Sequence, residues 1–187
     1  DFGIGPGRVK TGERNAITDV PGIRVGHCTV KTEENHTGVT VIVPGPDNAF
    51  AKHYTAAAYI HNGFGKSAGV VQVEELGTLE TPIALTNTLN VGKVLDAMVE
   101  IVIEQCRKDG IEPQSINPVV GECNDCRINH IQKRAIGEKE VREAFALASE
   151  EFEEGDVGAG AGTTCYGMKG GIGSASRVIT IGEKEYT

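Results

Sequence analysis

Tryptophan is absent from this 187-residue chain, and aromatic side chains make up only 5% of it, so its core must be built from aliphatic and small residues. No apolar run approaches the roughly 20 residues that cross a bilayer, so no transmembrane helix and no membrane partner are expected. Basic residues are too few for a nucleic-acid footprint: 18 stand against 26 acidic ones, for a net charge of −8. The five cysteines, Cys28, Cys106, Cys123, Cys126 and Cys165, are odd in number and scattered, unlike a secreted disulfide framework. Asp1-Phe2-Gly3-Ile4-Gly5 shows neither the basic start nor the apolar stretch of a signal peptide. Asn35-His36-Thr37 fits a glycosylation acceptor, but without a secretion signal a cytoplasmic location is expected.

Glycine is what the chain has in excess. It contributes 25 residues, and eight of these fall within residues 155–173. Such a stretch can aim several N–H groups at an anion, or it can let two layers approach closely. The nucleotide-loop templates fail. G-x-G-x-x-G counted from Gly158 and Gly160 meets Thr163, and the phosphate loop ending Gly65-Lys66-Ser67 meets Ile60 where glycine is required. Cys123-x-x-Cys126 with His130 falls short of the four ligands of a structural zinc, so no metal is expected. The acidic stretch 138–156, with eight acids against two bases, reads as a solvated face.

Periodicity places strands at 23–30 and 38–43, and short buried ones at 69–73, 82–85 and 117–121. Residues 49–60 are ambiguous between helix and strand. Val91, Val94, Leu95, Met98, Val102 and Cys106 share one helical face, with Asn90 as cap and Gly110 as stop. A second helix is predicted over 138–154, on Val141, Ala144, Phe145, Ala148 and Phe152, ended by Gly155. A hairpin turning at Gly182 is expected to close the chain. Strands and helices interleave without a strict βαβ repeat, so the class is α/β or α+β with a mixed sheet, in one domain over 1–187. Composition points to Thr163 and Ser174, each after a glycine, as candidates for a nucleophile activated by its own α-amine.

Several motifs in order resemble one family. They are Asn15-Ala-Ile-Thr-Asp-Val-Pro-Gly-Ile-Arg-Val-Gly-His27, Thr37-Gly-Val-Thr, His61-Asn-Gly-Phe-Gly, Glu75-Leu-Gly-Thr-Leu-Glu-Thr-Pro-Ile-Ala-Leu-Thr-Asn-Thr88, Val120-Gly-Glu-Cys-Asn-Asp125 and Lys169-Gly-Gly-Ile-Gly-Ser-Ala-Ser-Arg177. The family is that of the DmpA-like aminopeptidases, which includes L-aminopeptidase/D-esterase/D-amidase and β-peptidyl aminopeptidase enzymes. The resemblance implies a four-layer αββα sandwich similar to N-terminal-nucleophile hydrolases. It implies self-cleavage ahead of a serine beyond Thr187, so that this chain is an α segment completed by its own β segment carrying the nucleophile. On that reading neither Thr163 nor Ser174 is the nucleophile.

The resemblance further implies a metal-independent enzyme without cofactor, acting on small peptides, amides or esters, and a homo-oligomer of αβ units. Glu122 matches the acid that binds the substrate ammonium group. Asn124 stands where some relatives have a tyrosine beside the oxyanion, and its amide can donate to developing negative charge. Asn62 and Asp125 are further pocket-lining, substrate-binding candidates. The plainer alternative for Glu122 is a carboxylate that only ties loop amides. For the whole chain the alternative is a processing-incompetent relative acting as a binding or assembly protein.

Overall fold

The computed structural model describes residues 7–187, so the opening residues read above for a targeting signal lie outside it. In chain order the elements are β1 (Arg24–Lys31), β2 (His36–Val43), β3 (Tyr54–Thr55), α1 (Val70–Leu76), β4 (Thr78–Leu79), β5 (Ile83–Asn87), α2 (Val91–Lys108) and β6 (Val119–Cys123). They continue with α3 (Glu138–Ala146), β7 (Thr164–Cys165), β8 (Met168–Lys169), β9 (Ile179–Ile181) and β10 (Lys184–Tyr186). Four strands form the main sheet in the order β1-β2-β5-β6, with β5 and β6 parallel and the other neighbours antiparallel. The ambiguous stretch 49–60 begins as a turn, is mostly irregular, and contributes only β3.

One face of the sheet meets α2 and α3. Cys28, Val39, Val41, Ala84 and Val120 from the strands pack there against Val94, Ala97, Met98 and Ile101 of α2 and Val141 and Ala144 of α3. The bounds of α2 match the predicted face and stop, with Gly110 at φ +71° after the last turn. Asn90 holds the N-cap position as predicted, but its side chain makes no capping bond; a 3-10 turn, Thr88–Asn90, precedes the helix, and the Asn87 side chain accepts the Asn90 N–H at 3.1 Å.

Two predicted elements differ. The second helix ends at Ala146, not at residue 154. At Ser149 the chain pairs with the edge of β1, trading N–H and C=O with Val25 at 3.1 and 2.9 Å, which a continuing helix could not do. Phe152, though in helical phase, lies on the opposite side of the sheet, its ring 6.1 Å from that of His27. Residues 69–73, predicted as a strand, begin α1 instead. Only Ala68 pairs with Val120, after which Gly69 turns the chain at φ +81°.

The glycine-rich stretch covers the second face of the sheet. Its 3-10 turn Gly158–Gly162 lies against β1 and β2, and a Cβ on Gly38 would stand 2.2 Å from the Gly158 carbonyl oxygen. His27 and Thr40 anchor it. The His27 Nε2 donates to the Glu153 carbonyl at 3.0 Å, so Nδ1 accepts from the Thr40 hydroxyl at 2.9 Å, and that hydroxyl accepts the Ala159 N–H at 3.1 Å. Burial holds His27 below its ordinary pKa, consistent with the neutral ring this requires. Close packing, rather than an anion cradle, accounts for Gly158, Gly160 and Gly162, while Gly155 and Gly167 serve turns at positive φ.

Lys169 closes the same turn, donating to Gly160 O at 2.9 Å and pairing with Asp156 at 2.9 Å. Asp156 also meets Lys31 at 2.7 Å and His36 at 3.1 Å. The hydrogen bond from Lys31, then those from Lys169 and His36, hold its carboxyl well below the usual carboxylate range. A carboxyl with a lowered folded pKa adds stability above its unfolded value, about 4, and loses it as pH falls toward the folded value. The wild type should therefore lose more stability than Asp156→Asn between about pH 5 and pH 3. The difference should stay under ~1 kcal/mol, because water screens a carboxylate that is 45% exposed. Urea midpoints at the two pH values check this, and equal losses would contradict it.

Candidate active site

The parallel register of β5 and β6 sets Thr86 beside Glu122 and Asn87 beside Cys123, at the carboxyl ends of both strands. Ligand groups gather at such ends because the loops that follow diverge and leave a crevice. Glu122 is half-buried there. Its Oε1 accepts the Lys66 N–H at 2.8 Å, and its Oε2 accepts the Thr88 hydroxyl. The carboxylate does tie a loop amide, as the plainer reading holds. It is also unpaired: among the described residues no cation stands within ion-pair distance of it. The ammonium of Lys66 turns instead onto the Phe64 ring, 4.1 Å from its centroid, and the Phe64 carbonyl.

The other predicted residues divide between the surface and the interior. Asn62 is exposed, and its Oδ1 accepts the Phe64 N–H at 2.8 Å, shaping the loop that delivers the Lys66 N–H to Glu122. Asn124 is exposed and its Oδ1 accepts the Cys126 N–H at 3.0 Å, leaving the amide nitrogen, among the described residues, as an uncommitted donor two residues from Glu122. Asp125 is buried at 2% exposure, its Oδ2 taking the Thr37 hydroxyl at 2.6 Å, with Gly162 packed against it. Thr37 in turn accepts from Asn87 Nδ2 at 2.8 Å. A chain of buried polar contacts thus fixes the turn after β6 to the middle of the sheet, with Asp125 inside it rather than on an open wall.

Sequence reasoning missed Thr88 and Asn87. Both lie in the motif that ends at Thr88, but their contacts depend on strand register. Neither composition-based nucleophile candidate is free. Thr163 donates to the Ala159 carbonyl at 3.0 Å, and Ser174 Oγ accepts the Ile17 N–H at 2.6 Å. Burial, with Glu143 adding to it, pushes the Cys28 thiol up to about 11, so it is no thiolate nucleophile at neutral pH. Among the described residues no three His, Cys, Asp or Glu side chains group as metal ligands.

Solved structures carry the same fold. The PH0078 protein from Pyrococcus horikoshii OT3 superposes with a TM-score of 0.91 at 43% identity, over 98% of this chain and 54% of that one. The L-aminopeptidase D-Ala-esterase/amidase of Ochrobactrum anthropi superposes with a TM-score of 0.83 at 31% identity, over 96% of this chain and 53% of that one. That structure is described as a prototype for the serine aminopeptidases and a new variant among the Ntn hydrolase fold, so the mixed α/β layer seen here is of that class. The model of peptidase family S58 matches residues 15–187, and the chain belongs to that family. The β-peptidyl aminopeptidase BapA of Sphingosinicella xenopeptidilytica is 36% identical over 197 residues, covering 100% of this chain and 48% of the relative. The chain spans about half the length of these relatives. The resemblance carried by the six motifs is borne out.

Proposed function

We propose that this chain is the substrate-amine-reading part of a serine aminopeptidase or amidase. Glu122 carries the reading: it is a half-buried carboxylate at two parallel strand ends, hydrogen-bonded on both oxygens and, among the described residues, without a cation. A substrate ammonium supplies the missing charge and a charge-assisted hydrogen bond. The nucleophile is a serine exposed by self-cleavage in a further segment of the full-length protein, its own α-amine acting as general base. It takes up the acyl group of a small peptide, amide or ester, the leaving amine (or, from an ester, the alcohol) departs with a proton, and water hydrolyses the resulting acyl-serine ester. The free Asn124 amide donates to the oxyanion. Family membership and relatives about twice as long support this division of labour. The protein works without a metal.

The αβ units assemble into a homo-oligomer; the exposed apolar side chains Tyr59, Phe64, Val71 and Leu76 are surface that such assembly would cover. Five free cysteines suit the reducing cytoplasm. Intact-mass analysis of the full-length product, with an aminoacyl-anilide assay, tests the proposal. Two masses and turnover are expected. A single unprocessed mass without turnover would point to a binding or assembly protein instead.

A further inference from the structure

We propose that Thr88 is a positioning residue for substrate-amine binding, orienting the Glu122 carboxylate through its hydroxyl. The inference rests on the ammonium-reading role of Glu122 given above. An ionised carboxylate has about four acceptor positions, two on each oxygen. The fold takes one on each: Thr88 donates to Oε2, and the Lys66 N–H donates to Oε1 at 2.8 Å. Those two donors come from separate parts of the chain. Thr88 opens the 3-10 turn that leads from β5 into α2, and Lys66 lies in the loop shaped by Asn62.

With both oxygens held, the carboxylate plane is fixed and one acceptor position per oxygen remains for an ammonium donor. Gly65 keeps the loop close, since a Cβ there would come within 3.2 Å of Oε1. Thr88 itself is held from behind: Asn87, the residue before it, is buried and bonded to both Thr37 and the Asn90 N–H. The hydroxyl therefore sits on a rigid strand end, whereas the Lys66 N–H is on an exposed loop. Loss of the hydroxyl would free the carboxylate to rotate about its remaining loop contact, which costs orientation of the bound amine and leaves the acyl chemistry untouched.

The experiment uses the full-length, processed enzyme with an aminoacyl anilide and the matching acyl anilide that lacks the amino group. Thr88→Val is expected to raise KM for the aminoacyl substrate about 5- to 10-fold, with kcat within about twofold and the des-amino substrate unaffected. Thr88→Ser, which keeps the hydroxyl, is expected to restore KM; Thr88→Ala serves if the valine variant fails to fold. An unchanged KM in Thr88→Val or Thr88→Ala, while Glu122→Gln raises it, overturns the inference alone. A rise in Thr88→Ser equal to that in Thr88→Val also overturns it, because packing rather than the hydroxyl would then be responsible. An unchanged KM in Glu122→Gln overturns the ammonium reading on which both depend.

Discussion

Glu122→Gln in the full-length enzyme should raise KM for aminoacyl substrates about 10- to 100-fold while self-cleavage proceeds normally. The magnitude follows from the roughly 1.5–3 kcal/mol that a hydrogen bond to a charged group contributes. The amide keeps the shape and one acceptor oxygen, so the Lys66 and Thr88 contacts are partly retained and the strand ends stay in place. What disappears is the negative charge. Among the described residues no cation neutralises Glu122, so the substitution creates no orphaned positive partner to confound the result. Steady-state kinetics and intact mass on the same preparation check both halves. Equal KM values for variant and wild type would contradict the assigned role.

Gly38→Ala should destabilise the protein by about 3 kcal/mol, at the upper end of what overpacking costs. The added Cβ would stand 2.2 Å from the Gly158 carbonyl oxygen and 2.6 Å from that of Cys28. Both obstacles are backbone, one in the central sheet and one in the glycine turn that His27, Thr40 and Lys169 pin down. Neither can swing aside as a side-chain tip would. The melting temperature should fall by roughly 10 °C for a chain of this size. Gly63→Ala, which meets nothing within 4 Å and has no positive φ, is the control and should change it little. A Gly38→Ala protein that melts like the wild type would show that the glycine turn is not the rigid cover described above.

Local pattern accounts for what was legible in the sequence. Helix α2 buries one continuous stripe, Val91, Val94, Met98, Val102 and Cys106, and its stop signal is its own. Helix α3 reads as too long from sequence because Phe152 keeps helical phase by coincidence, its burial coming from the opposite face of the sheet beside His27. Val70 and Val71 invited a strand reading through β-branching, yet the pairing of Ala68 with Val120 and the turn at Gly69 settle that segment from outside. Glycine clustering was visible, but the partner of each glycine was not: Gly38 and Gly158 are 120 positions apart and meet only once the layers stack.

The site divides in the same way. Glu122 and Asn124 could be named from a motif, since chemistry and position travel together there. The burial of Asp125, its bond to Thr37 and the contact of Thr88 with Glu122 depend on the pairing of β5 with β6 and of β2 with β5. No local window contains that register.

A crystal structure of the full-length enzyme with an amino-acid product bound would show which acid holds the substrate amine. The product ammonium nitrogen should lie about 2.7–2.9 Å from a Glu122 carboxylate oxygen, with the Lys66 N–H and Thr88 hydroxyl still in place on the same group. An ammonium held by another acid, with Glu122 bonded to Lys66 and Thr88 alone, would contradict it.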